Sequence, residues 1–451
     1  MKTNDPTLKR LSWVISMVAA FFVFIALADP ILPTPSTQGL SQNTNGQVTA
    51  TNKITFVKGL AVTNAPTEPS DVVRFVDLTS ANRVFFPAAQ TVFLDLNYAS
   101  LTNGNAAFGT AQTAYDAAEA LAVSSGSKVA LMVGRGNAAD FGGITLTNNW
   151  EPNVILVGLG PATSQIGVIN GENAAGNSFS VNIRARAVKI SGIWTDTSMG
   201  PGATENGGAI TIKGDGDVQI GDQGIYSDIQ SVSSGIGGDI DLTGCFSETA
   251  DNLAIRSGGY GPPFSGNCGN ITITRCRLLT GSSYGIDAFV DGVTGKTSGN
   301  VIIIDSETGY IAAYQINGAD QNGGNITITN SKTKELYVAA LGGGVDGVVK
   351  VTGSEIRGSE TSCIDRLGST AVLLDSRLKI EAGGFDCIAN LSANGATFIN
   401  CVMDVDGTGK EINASAARTI KAFDLKVKNG VGANVTVSEG NILQSSAIQV
   451  P

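Results

Sequence analysis

The sequence predicts an all-β fold, a right-handed parallel β-helix of stacked coils, and three observations carry that expectation. One strand pattern recurs with a fixed internal phase and variable spacing. Within each copy, small aliphatic residues alternate with polar ones. The composition, with 57 glycines, 42% apolar residues and 6% aromatics, suits many short strands and turns around an aliphatic interior.

The repeat emerges when GGAITIKG, GGDIDLTG, GNITITRC, GNVIIIDS, GNITITNS, DGVVKVTG, STAVLLDS and NGATFINC are aligned. Their template positions start at Gly208, Gly238, Asn270, Asn300, Asn325, Gly347, Thr370 and Gly395, and a small residue follows six positions later in each. Those small residues are Gly214, Gly244, Cys276, Ser306, Ser331, Gly353, Ser376 and Cys401. The starts lie 30, 32, 30, 25, 22, 23 and 25 residues apart, so insertions fall in loops while the strand phase holds. A single strand of this kind cannot bury its aliphatic face. Stacking coils at about 4.8 Å makes each rung the partner of the next and joins the faces into one core.

A solenoid end needs a cover. Residues 110–123 read TAQTAYDAAEALAV, and Ala111, Ala114, Tyr115, Ala118, Leu121 and Ala122 fall on one helical face. Thr110 is the expected N-cap and Gly126 the expected stop.

At the N-terminus, Lys2, Lys9 and Arg10 precede the apolar run Leu11 to Leu27 and an A-x-A site at 26–28. That is the layout of a secretory signal, and the run is also just long enough for a membrane-spanning anchor or a buried apolar helix. The chain divides by composition into a signal-like or anchor segment 1–28, a linker and neck 29–90, a β-helix 91–415, and C-terminal strands or a cap at 416–451.

Charge and composition exclude several functions. The net charge is −10 with no basic cluster beyond the extreme N-terminus, which argues against nucleic acid as a partner. The chain has no histidine, so catalytic triads and histidine-ligated metals are excluded. No C-x-x-C spacing occurs, and no cofactor or metal is expected. The motifs DVDGTG at 404–409 and GDGD at 214–217 read as tight turns, since neither has a full calcium ligand set.

The remaining chemistry lies in carboxylates, tyrosines and thiols. Asp287, Asp291, Asp305 and Glu307 fall on neighbouring coils, with Tyr284, Tyr310, Tyr314 and Tyr337 nearby. Rung spacing can set two carboxylates at a glycosidase distance, which makes Asp287 and Asp305 the catalytic candidates. The tyrosines and Asp291 are candidates for holding a glycan without cleaving it. Asp305 shares a column with Arg275, the arrangement of a plain ion pair. Cys363 and Cys387 stand at similar offsets in consecutive coils and are a candidate disulfide, while Cys245 and Cys268 are a second pair that could meet.

Two segments resemble known families. The order VFLDL, Asn-Gly loop, capping helix, VALMVG, NVILVGLG, SQIGVING over residues 91–171 resembles the start of pectate-lyase-like right-handed β-helices. Residues 60–77, LAVTNAPTEPSDVVRFVD, resemble an element of bacteriophage tail fibres. Asn64, Pro66, Thr67, Asp71, Val73, Val76 and Asp77 match it, while Arg74 and Phe75 replace a lysine and a tyrosine. The preceding GLSQNTNGQVTATNKITF is similar to fibre attachment regions. The resemblance implies a virion-surface fibre or tailspike, a homotrimer that meets other virion proteins through its N-terminal region and a host-surface glycan or receptor along its rod. A polysaccharide depolymerase and a secreted bacterial adhesin are the alternatives.

Overall fold

The structure is a computed structural model. It describes residues 90–95, 107–173, 176–196, 205–230, 235–248, 253–260, 267–279, 285–291, 297–313, 315–316, 323–338, 346–358, 361–368, 370–381 and 384–446, and the pairing of 40–42 with 48–50. The chain divides into two units, Met1–Arg83 and Val84–Pro451. In the first, Leu40–Gln42 and Val48–Ala50 pair antiparallel. The Leu11 to Leu27 run and the 60–77 segment lie outside the described residues. Among the described residues no helix is long and apolar enough to cross a membrane.

The second unit is the expected parallel β-helix, since every named strand pairing in it is parallel and joins one coil to the next. Each full coil contributes rungs to three faces. The first face runs through Ile210–Ile212, Ile240–Leu242, Ile271–Thr274, Val301–Ile304, Ile326–Thr329 and Val349–Thr352 in continuous register. The alternation has the foreseen effect: Ile210, Ile240, Ile271, Val301, Ile326 and Val349 stack inward, essentially without exposure. Burying one such side chain contributes about 1.5–3 kcal/mol before chain entropy is set against it. The stack reaches the last strands, Arg418–Val427 and Val435–Gln444, which add further parallel rungs.

The register corrects the repeat at one point. Ile210, Ile240 and Ile271 are partners, so Gly208 and Gly238 sit one position earlier than Asn270 does. Gly347 is likewise one early, because Ile326 pairs with Val349. The small residues therefore form two adjacent columns, not one. Gly244, Arg275, Asp305, Asn330, Gly353, Asp375 and Asn400 all take a left-handed conformation, with φ between 49 and 63°. They turn the chain from the first face to the second. Gly353 meets this need without strain, whereas Asn and Asp tolerate it better than other residues with a Cβ.

The neighbouring column is a hydrogen-bonded ladder. The N–H of Cys276 donates to Ser306 Oγ, Ser306 N–H to Ser331 Oγ, and Ser331 N–H to Ser354 Oγ, each at 3.0 Å. Each hydroxyl in turn donates to the carbonyl two residues before it, for example Ser331 Oγ to Thr329 O at 2.7 Å. A sharp corner leaves backbone groups outside the sheet ladders, and these short side chains satisfy them inside the rod.

The cover helix is Ala111–Ser125. Thr110 Oγ1 accepts from Thr113 N–H at 3.3 Å, and Gly126 closes the helix at φ 62° by donating to Ala122 O at 2.8 Å. Ala111, Ala114, Tyr115, Ala118 and Ala122 are buried and Leu121 is half-buried. The Tyr115 ring packs on Trp150 at 4.4 Å, and its hydroxyl accepts from Glu151 N–H at 3.0 Å. The interior is thereby closed by the helix beside the first rungs, Thr91–Leu94 and Val129–Val133.

Candidate functional site

The third face carries the densest chemistry among the described residues. Register places Trp194 beside Tyr226, Tyr226 beside Arg256, Arg256 beside Asp287, Asp287 beside Ala312, and Ala312 beside Tyr337. Asp365 follows Ile364, the partner of Leu336, and so extends the column by another rung. Their neighbours Ile193, Ile225, Ile255, Ile286, Ile311 and Leu336 point into the core. Alternation therefore turns this column outward, and each of these residues but Ala312 is half-buried. The result is a stripe of aromatic and charged side chains along the rod at a rung spacing of about 4.8 Å, interrupted at buried Ala312.

Its centre is built around Arg256. The guanidinium lies 4.9 Å from the centroid of the Tyr226 ring and its Nε donates to Asp228 Oδ2. Asp228 is fully buried, and its own N–H donates to Asp196 Oδ1 at 2.9 Å. Trp194 is held by its indole N–H, which donates to Gln223 O at 2.9 Å. The Tyr226 ring lies over Gly224, where φ is 75° and a Cβ would come within 2.7 Å of the ring. Glycine is required there.

The carboxyls of this centre are held toward their neutral form. Burial drives Asp228 well above the usual carboxylate range, and the Arg256 charge opposes that rise only in part. Burial also pushes Asp287 up to about 6, again against Arg256. Asp228 Oδ1 and Asp287 Oδ1 are both shielded from water and lack a hydrogen-bond partner. Relative to an unfolded value of about 3.9, folded Asp287 keeps a proton that the unfolded chain has lost. Stability from this group is therefore complete below about pH 4 and declines as pH rises through about 6. Asp287→Asn is expected to flatten that decline, read from Tm between pH 4 and 7.

The sequence candidates separate on this frame. Asp287 and Tyr337 fall on the stripe. Asp305 does not: it is exposed at the left-handed corner between the first and second faces, where Asn330 Nδ2 donates to it at 3.3 Å. The first-face strand Val301–Ile304 intervenes between Asp287 on the third face and Asp305, so the two carboxylates do not share a face. The ion pair expected from Arg275 and Asp305 forms two positions on, between Arg277 and Glu307 at 3.2 Å. Asp305 and Glu307 line a shallow groove of about 650 Å³ with Lys332, Asp375 and Arg377. Tyr310 is half-buried, and its ring edge lies where a side chain on Gly285 would stand. Asp291 belongs to Ile286–Asp291, but its side chain, like Tyr284 and Tyr314, lies outside the described residues.

All six cysteines are buried, and none is joined in a disulfide. Cys363 and Cys387 are adjacent, one residue before the register pair Ile364 and Ile388. Cys245 meets Cys276 on the next coil, not the expected Cys268: the Cys245 N–H donates to Cys276 Sγ at 3.3 Å. Among the described residues no group of three or more acidic or thiol side chains is placed to hold a metal ion.

Trp194, Tyr226, Arg256, Asp228 and Asp196 were not among the sequence candidates. A signal existed: Trp194, Tyr226, Arg256 and Asp287 follow one another at 32, 30 and 31 residues, close to the coil lengths of the first face. The fold and this stripe define a class of protein, a β-helical rod with an aromatic and charged stripe along one outward face. No protein-family model matches the chain, and no curated protein matches it. Among solved structures it is similar to the Dettilon tailspike protein, at 12% identity over 79% of this chain and 68% of that chain, with a TM-score of 0.24. The β-helix stands on the strand register of this chain alone.

Proposed function

We propose that the chain is a virion-surface fibre or spike whose β-helical rod attaches to a host-surface glycan along the Trp194–Asp365 stripe. The observation that supports this most is the stripe itself. Aromatic faces stack on sugar rings, and Arg256 and the carboxyls supply hydrogen bonds at intervals of one rung. A sealed aliphatic interior leaves recognition to the outer faces. In this reading the protein is a homotrimer, joined to other virion proteins through its N-terminal region, and the Leu11 to Leu27 run serves as an anchor or a signal.

The test is binding of the full chain to immobilised bacterial-envelope polysaccharides, measured for the wild type, Trp194→Ala and Tyr226→Ala. Removing one stacked aromatic is expected to weaken binding roughly ten- to hundredfold, given about 1.5–3 kcal/mol for a fully engaged side chain. Equal binding by all three would remove the stripe from the reading.

One observation favours a depolymerase as the second reading. A carboxyl that titrates near 6, as Asp287 does, can act as a general acid near neutral pH. New reducing or unsaturated ends that vanish with Asp287→Asn would establish cleavage. Asp305 has no place in that chemistry, because it sits at another corner of the coil.

A further inference from the structure

We infer that Cys363 and Cys387 are the site of a covalent rung-to-rung cross-link, a disulfide that pins consecutive coils of the rod, and that Cys245 and Cys276 are not. Ile364 and Ile388 are register partners, and Ile364 N–H donates to Cys387 O at 2.9 Å. The two cysteines therefore start adjacent parallel rungs, whose spacing of about 4.8 Å lies inside the Cα range of disulfides. Both are fully buried and point into the rod. The Cys363 thiol lies 3.2 Å from Lys379 O, and the Cys387 thiol lies 3.8 Å from Leu378 O, on the same strand of the second face. The two thiols thus flank one strand of the second face, and their side chains interact with each other. A thiol is a weak donor, so little is lost when these S–H protons leave.

The second pair has the same register but a different occupation. Cys276 stands in the corner ladder among Ser306, Ser331 and Ser354. Its sulfur accepts the Cys245 N–H at 3.3 Å and its thiol reaches Thr274 O at 3.3 Å. Cross-linking it would displace the sulfur that accepts the buried Cys245 N–H, a costly loss. Cys276 replaces a serine in that ladder, and its sulfur is bound to the role a hydroxyl plays.

Oxidation needs an acceptor, and a small-molecule disulfide such as glutathione disulfide suffices. One cysteine thiolate attacks it and expels one glutathione thiolate. The second cysteine thiolate then displaces the other glutathione, forming the Cys363–Cys387 bond. The two cysteine protons end on the two glutathione thiols, and two electrons pass from the pair to the oxidant. Because both thiols are buried, exchange takes place as the coils close or when they open locally.

The experiment uses the full chain refolded with glutathione disulfide, alkylated under denaturing conditions without reductant and mapped by mass spectrometry. The expected result is one linked peptide pair joining Cys363 to Cys387, with Cys245, Cys268, Cys276 and Cys401 alkylated. The same protein refolded with reductant should alkylate at all six cysteines and melt several degrees lower. Cys363→Ser should lose the Tm difference between oxidised and reduced samples, a comparison within one variant that survives any general loss of stability. Complete alkylation at 363 and 387 after oxidative refolding would overturn the inference, as would a 245–276 link in equal yield.

Discussion

Ile328→Asp is expected to abolish folding of the rod at 25 °C, or to cost about 5 kcal/mol or more where folding persists. Ile328 is fully buried and stacked between Ile303 and Val351 of the flanking coils. A carboxylate there faces only aliphatic neighbours, with no water and no cation to offset its desolvation. Ile328→Ala gives the graded comparison, about 2–5 kcal/mol for the lost contacts and the cavity. Thr327 is the control, because it precedes Ile328 on the same strand and faces outward, half-buried, between Ile302 and Lys350. Thr327→Asp should cost under about 1 kcal/mol. Urea unfolding of the three variants measures the series, and similar losses at 327 and 328 would contradict the assigned strand phase.

The second large effect is expected at Arg256. Its guanidinium is the charge that lowers the carboxyl of fully buried Asp228, which burial already raises. Arg256→Ala removes the cation that opposes the burial of Asp228, and the loss is expected to reach up to about 3–5 kcal/mol to the extent that Asp228 is ionised beside it. The loss has a definite pH dependence. In the variant the folded-state pKa of Asp228 rises further from its unfolded value, so the folded chain takes up a proton. Destabilisation through this carboxyl therefore grows as pH rises through its folded-state titration and vanishes toward about pH 4, where the unfolded carboxyl is also protonated. The double variant Asp228→Leu/Arg256→Met removes both charges and should recover most of the loss. Urea unfolding at pH 7 and pH 4.5 separates these cases. A loss independent of pH would mean that Arg256 acts by packing alone.

The fold was readable because one face repeats its strand without interruption. Ile271 and Ile273, or Ile326 and Ile328, announce the inward positions by alternation alone, and Thr110 and Gly126 mark the helix ends by cap chemistry. The slip at Gly208, Gly238 and Gly347 has a physical origin. Small residues occupy two adjacent columns at the corner, one for a left-handed turn and one for the hydrogen-bonded ladder, and a glycine suits the approach to a strand as well. Neither column is distinguishable from sequence until the rungs are in register.

The site was harder to read. Its residues change type at every rung, from Trp194 to Tyr226, Arg256 and Asp287, so no motif repeats. Only the coil length connects them. Asp305 and Asp287 looked like neighbours because they fall on neighbouring coils, yet the corner at Asp305 turns the chain between the first and second faces while Asp287 lies on the third. The raised carboxyl of Asp287 depends on burial, which no local pattern reports.

Hydroxyl-radical footprinting of the full chain, with and without bacterial-envelope polysaccharide, tests the proposed attachment through the third face most directly. The expected result is protection of Trp194, Tyr226 and Tyr337 by the polysaccharide, with the exposed Phe423 on the first face modified equally in both samples. Unchanged modification of Trp194 and Tyr226, or protection confined to Phe423, would contradict attachment through the third face.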